Sequence, residues 1–189
     1  MAEPDILHLF HTGYAEIREP DIRYGRKNAD FGQGFYLSDS DEFAGKWMRQ
    51  HKDAVIHFNA YELDLTGLQV LRFTRDMDWL DYILRNRAGY ADSHPEADVV
   101  IGPIANDTIY DTLGIMTSGV LTREQSLRLL RIGPAFEQTV VKTEKAAAQL
   151  QWLSVRTLAP GEAAQFRERV QQEEAAYQTL LAEALENML

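Results

Sequence analysis

Gly32 and Gly34, one residue apart, run directly into the aromatic and aliphatic segment Phe35-Tyr36-Leu37-Ser38. A backbone without side chains at these positions can come very close to a flat or charged ligand. Before the pair lies a polar stretch, residues 14–33, that contains Pro20 and Gly25 and lacks a regular apolar period. A loop of that length inside a compact domain is more often functional than not. The glycine pair by itself is a weak signal. No third glycine follows at dinucleotide-fold spacing, and no Lys-Ser/Thr follows as a phosphate loop requires. Taken alone, the segment reads as a tight turn entering a strand.

The flanking pattern predicts short strands and capped helices. Ile6 to His11 reads as a strand ending at Thr12-Gly13, and Gly34 to Ser38 as a second. Asp39-Ser40-Asp41 supplies N-cap chemistry for a helix over 41–51, with Phe43 and Trp47 one turn apart. Residues 54–65 alternate as a strand, and Gly67 to Phe73 forms another. Asp76 to Arg87 reads as a helix with Trp79, Leu80, Ile83 and Leu84 on its apolar face. Asp98 to Ile101 is a brief buried strand, followed by a helix over 106–117. Thr122-Arg123-Glu124-Gln125 fits a capping box opening a helix over 123–131. Gln138 to Lys142 and Trp152 to Leu158 read as strands, with a short helix capped by Thr143 between them.

Pro160-Gly161 marks a boundary, giving a domain over 1–159 and a helical extension over 160–189. Within 162–188, Phe166, Val170, Tyr177, Leu181, Ala184 and Met188 form an apolar stripe on a charged, Gln-rich helix. The expected class is α+β, with strands central and helices interspersed.

The 189 residues carry a formal net charge of −10, which disfavours nucleic-acid binding through the whole surface. No cysteine is present, so thiol chemistry and thiolate metal sites are excluded. The spacing of His51, His57 and His94 gives no metal site. The amino terminus has neither a basic n-region nor a long apolar h-region, and no apolar run has the length of a membrane span. These features lead to the expectation of a cytoplasmic protein without a membrane partner.

Three segments in order carry a resemblance: Leu9-Phe10-His11-Thr12-Gly13, then Phe31-Gly32-Gln33-Gly34-Phe35-Tyr36-Leu37-Ser38, then Glu137-Gln138-Thr139-Val140-Val141. The order resembles the His–Tyr–Glu class of ADP-ribosyltransferases, which includes poly(ADP-ribose) polymerases and diphtheria-type toxins. More closely, the run from Glu19 to Leu37 resembles the bacterial DUF3990 family assigned to that fold. The resemblance covers about residues 6–155. It implies split antiparallel sheets with flanking helices, followed here by the amphipathic C-terminal helix.

The resemblance also implies NAD as co-substrate, no metal, and a glycosyltransferase-class reaction. His11 would bond the adenine-side ribose, and the backbone at Thr12 and Gly13 would hold the nicotinamide carboxamide. The wider class has Gly directly after His, whereas here Thr12 intervenes. Tyr36 matches the family's Tyr, and Gly32, Gly34 and Ser38 flank it in the expected pocket. Trp47, with Phe43 beside it, falls where a second aromatic would sandwich the nicotinamide ring. Trp47 has an equal claim to be core. Gln138 stands where the class has a catalytic Glu. A glutamine orients a ribose hydroxyl but supplies no charge to an oxocarbenium-like ribose. Two outcomes stay open at Gln138: mono-transfer with modest electrostatic help, or an inactive NAD-binding relic. Glu137 points to the opposite side of a regular strand.

Arg23, Arg26 and Lys27 either neutralise the pyrophosphate or an anionic acceptor, or form a compensating surface patch. Asp30 reads as an Asx turn, Asn106 and Asp107 as helix caps, and His8 as structural. Three functions compete. One is an NAD-dependent mono-ADP-ribosyltransferase acting on a protein or nucleic-acid acceptor, as the toxin of a toxin–antitoxin pair. The second is a degenerate NAD-binding module. The third is an interaction protein whose helix 162–188 is the working part; that helix covers the core, self-associates or docks an antitoxin, packing on its own domain being the commonest fate.

Overall fold

The computed structural model describes residues 5–41, 55–105, 121–133 and 135–187. Among the described residues, seven strands form one sheet: β1 (Ile6–Gly13), β2 (Phe35–Ser38), β3 (His57–Asp64), β4 (Val70–Arg72), β5 (Val99–Pro103), β6 (Glu137–Val141) and β7 (Leu150–Thr157). The order across the sheet is β4-β5-β6-β2-β1-β3-β7. Four helices are also described: α1 (Met77–Arg87), α2 (Arg123–Leu130), α3 (Glu144–Ala147) and α4 (Pro160–Glu186). The expected helices over 41–51 and 106–117, with Phe43, Trp47, Asn106 and Asp107, lie outside the described residues.

The sheet is antiparallel except where β4 runs parallel to β5, Val70 facing Val99. That pair is parallel because α1 makes the crossover between them. β1 pairs with β3 along its whole length, from Ile6 opposite Asp64 to Gly13 opposite His57. By contrast, β1 meets β2 through one register pair, Phe10 opposite Ser38. The sheet is therefore continuous but split at a narrow seam between β4-β5-β6-β2 and β1-β3-β7.

Side-chain alternation buries both faces. Leu9, Phe35, Leu37, Tyr61, Leu63, Val99, Ile101 and Val141 form the core on one side. On the other, Val100, Val140 and Phe31 meet Trp79, Leu80 and Ile83 of α1 and Leu127 and Leu130 of α2. Local caps set the helix starts. Asp76 accepts the Trp79 amide at 3.0 Å, Thr122 and Gln125 form a reciprocal capping box, and Thr143 accepts the Ala146 amide at 3.2 Å.

In α4, Tyr177 and Leu181 bury themselves against Ile104 and Leu129. This part of the apolar stripe packs against the chain's own domain, the commonest fate of an amphipathic helix. His8 is also corrected: it is exposed and sits 3.3 Å from Glu62 Oε1. It lies between Leu7 and Leu9 on the strand and so projects to the face opposite theirs.

Candidate active site

The narrow seam gives His11 its place. Beyond the Phe10–Ser38 pair, His11 Nδ1–H donates to the Tyr36 carbonyl at 2.8 Å, bridging the strands with a side chain. Its ring packs on Phe35, with centroids 4.6 Å apart. This bond puts the proton on Nδ1 and leaves the Nε2 lone pair as an acceptor. Burial holds the His11 pKa below the ordinary imidazole value and outweighs the raising effect of the Tyr36 carbonyl, so the ring is neutral. Nε2 leans over Gly13, where a Cβ would sit 3.4 Å from it.

Tyr36 turns its hydroxyl back into the glycine turn. It donates to the Gly32 carbonyl at 2.7 Å and accepts from the Phe31 amide at 3.0 Å. Burial, reinforced by the Asp30 charge, raises the phenol pKa and keeps the group protonated. Three consecutive carbonyls of this turn are held by three side chains. Asn86 Nδ2 donates to Asp30 O at 3.1 Å, Lys142 Nζ to Phe31 O at 2.5 Å, and Tyr36 to Gly32 O. Gly32 has a φ of +75°, a conformation that a side chain would strain. The Asp30 carboxylate also accepts from Arg87 Nε at 2.8 Å, a partner distant in sequence.

The glycine pair serves the chain's own packing. A Cβ at Gly34 would lie 2.6 Å from Val140 Cγ1 and 2.7 Å from Val141 O, and one at Gly25 would lie 2.3 Å from Gly34 O. A Cβ at Gly32 would come within 3.1 Å of Lys142 Nζ. The missing side chains of Gly32 and Gly34 therefore make room for the chain's own strand β6 and Lys142. The remainder of the 14–33 loop is also tied down. Asn59 Oδ1 accepts the Ile17 amide at 2.9 Å, Tyr61 donates to Ile17 O at 2.6 Å, and Gln33 donates to Arg23 O at 2.6 Å.

Ser38 faces Gln138 and Tyr36 faces Val140 across β2 and β6. Continuing from Phe10 opposite Ser38, alternation puts Phe10, Thr12, Tyr36, Ser38 and Gln138 on one side of the sheet. His11 projects from the other side at the seam. Thr12 Oγ1 and Gln138 Nε2 are buried, and neither has a hydrogen-bond partner among the described residues. Ser38 is satisfied, accepting from the Ser40 amide at 3.1 Å and donating to Glu137 O at 3.4 Å. Glu137 is exposed at the start of β6; partial burial and the Asp39 charge raise its pKa, and Arg72 only partly offsets them.

Arg23 pairs with Asp21 at 2.9 Å, and Arg26 and Lys27 are exposed. A separate groove of about 500 Å³, lined in part by Phe73, Tyr82, Arg85 and His94, contains none of the residues at the seam. No helix among the described residues is long and apolar enough to cross a membrane.

The sequence reading missed Asn86, Arg87, Asp92 and Lys142, the groups that fix the glycine turn. One signal was present. Asn86 continues the buried stripe of Trp79, Tyr82 and Ile83, and a polar residue at such a position needs an internal partner.

A family model described as protein of unknown function, DUF3990, matches residues 7–152. The chain belongs to the DUF3990 family. The DUF3990 match runs from β1 into β7 and so includes every described residue gathered at the seam. No curated protein matches. Among solved structures, a chain of the Mycobacterium tuberculosis MbcT–MbcA toxin–antitoxin complex is similar in fold to this DUF3990 protein. The TM-score is 0.50 at 12% identity, over 87% of this chain and 91% of that one.

Proposed function

We propose that this protein is a mono-ADP-ribosyltransferase with NAD as co-substrate, acting as the toxin of a toxin–antitoxin pair in the bacterial cytoplasm. The observation that carries the reading is the pair of unmet buried groups, Thr12 Oγ1 and Gln138 Nε2, on the side of the seam that also presents Tyr36. Unmet buried polar atoms are costly, and a bound polyhydroxyl ligand offers them partners. The likeness to a chain of a toxin–antitoxin complex adds to the toxin reading.

In this reading His11 Nε2 accepts a hydroxyl of the adenine-side ribose, while the Nδ1–Tyr36 bond fixes the ring. The Tyr36 ring stacks on nicotinamide, and the Gln138 amide orients a hydroxyl of the reacting ribose. The bond from ribose C1′ to the nicotinamide nitrogen breaks, and its electron pair leaves with nicotinamide. An acceptor lone pair then forms the new bond at C1′, and the acceptor gives up its proton to solvent. Gln138 offers a dipole to the developing positive charge, where a carboxylate would stabilise it more strongly.

That neutral side chain also favours a second reading, a module that binds NAD without turning it over. Incubation with NAD labelled in the adenylate, in cell lysate, separates the two. Labelled acceptor together with released nicotinamide supports the transferase. Saturable NAD binding without either supports the module, and no NAD binding refutes both. His11→Ala and Tyr36→Ala should each abolish turnover in folded protein.

A further inference from the structure

Lys142 lies just beyond β6, four residues after Gln138, and its ammonium reaches back to the glycine turn. Nζ donates to Phe31 O and to Asp92 Oδ2, both at 2.5 Å. It also sits under Gly32, 3.1 Å from where a Cβ would be. The side chains of Lys142 and Asp92 are 10% and 24% exposed, so the pair is largely withdrawn from solvent. Asp92 is held in turn by Tyr82 OH at 3.0 Å and by the His94 amide at 2.9 Å.

We infer that Lys142 is a positioning residue of the candidate site, setting the turn that fixes the Tyr36 ring. Tyr36 has two hydroxyl bonds, and both end on this turn, at Phe31 N and Gly32 O. Lys142 holds the Phe31 carbonyl, which belongs to the peptide unit between those two contacts. Displacing it moves both anchors of the phenol together. Because Lys142 extends the strand that carries Gln138, the same side chain couples the placement of Tyr36 to that of Gln138. Asn86 and Arg87 complete the clamp from α1 through Asp30. Such coupling matters because small displacements of a positioned group reduce binding and rate steeply.

The test of NAD affinity rests on the transferase or module reading; the test of anchoring does not. Removing Lys142 alone strands the Asp92 charge, so the informative variant is the double substitution Lys142→Met/Asp92→Asn. It removes both charges and leaves Asp92's bonds to Tyr82 and His94 replaceable by an amide. Hydrogen exchange at the Phe31 and Gly32 amides should speed up about tenfold in the double variant, well below its melting temperature. The KM for NAD (or the Kd, if there is no turnover) should rise about tenfold, with kcat changed less than about threefold. Lys142→Arg, which can still reach both acceptors, should restore KM to within about threefold of wild type. Unchanged exchange at Phe31 and Gly32 would overturn the inference. So would a fall in kcat at constant KM, the mark of a smaller folded fraction. If wild-type protein neither binds nor turns over NAD, the proposed function fails, while the exchange measurement still decides the role of Lys142.

Discussion

Replacing Gly34 by alanine tests whether the glycine pair exists for the protein or for a ligand. The new methyl group would lie 2.6 Å from Val140 Cγ1 and 2.7 Å from Val141 O, about 1 Å inside ordinary contact. Neither neighbour can yield easily. Val140 and Val141 are fully buried, and Val141 belongs to the ladder opposite Phe35. Relief therefore requires β2 to move off β6, and the cost falls at the upper end for overpacking, about 3 kcal/mol. For a chain of this size that lowers Tm by roughly 6–12 °C. Gly161→Ala is the control: its methyl meets nothing within 4 Å, and in α4 it should gain up to about 1 kcal/mol. Thermal and urea melts followed by circular dichroism measure both. A Gly34→Ala protein that melts within about 2 °C of wild type while losing NAD binding would refute the packing argument and return the glycine to the ligand.

Tyr36→Phe removes the hydroxyl that meets Phe31 N and Gly32 O, and should cost about 1–3 kcal/mol in urea unfolding. Because the ring remains but loses both anchors on the turn, NAD affinity should fall about tenfold, as in Lys142→Met/Asp92→Asn, whereas Tyr36→Ala should abolish binding. The depressed His11 pKa means that the unfolded chain binds more protons as pH falls through the ordinary value of 6.5. Stability should therefore decline from pH 7 toward the lower folded-state pKa, and His11→Asn should flatten that part of a series of urea midpoints. Leu181→Ala should cost about 2–4 kcal/mol and raise hydrogen exchange in the second half of α4, since its side chain fills the contact with Ile104 and Leu129. Exchange confined to its wild-type rate would show that the helix is held by other contacts.

The elements were legible because their signals are local. Asp76, Thr122 and Thr143 each stand beside the amides they cap, and a period-two pattern picked out β3. The position of His11 beside the Tyr36 strand followed from the resemblance, and the bond at 2.8 Å gives it a physical basis. The clamp on the glycine turn was hidden because its partners are distant in sequence. Asp30 meets Arg87 and Phe31 meets Lys142, and no spacing rule links such positions. The same limit hid what the glycines pack against. A glycine facing a ligand and one facing Val140 look identical until the neighbouring strand is in place.

Residues of the seam come from β1, β2 and β6, and β6 joins β2 with Ser38 opposite Gln138. During synthesis the amino-terminal part of the sheet cannot include this edge, since its partner strand has yet to leave the ribosome. Long-range pairings of this kind form late because the intervening chain must first be closed. A nascent chain that stops before Glu137 thus carries His11 and Tyr36 but not Gln138. Translation itself delays the appearance of whatever chemistry the seam performs, and a product truncated there would lack it.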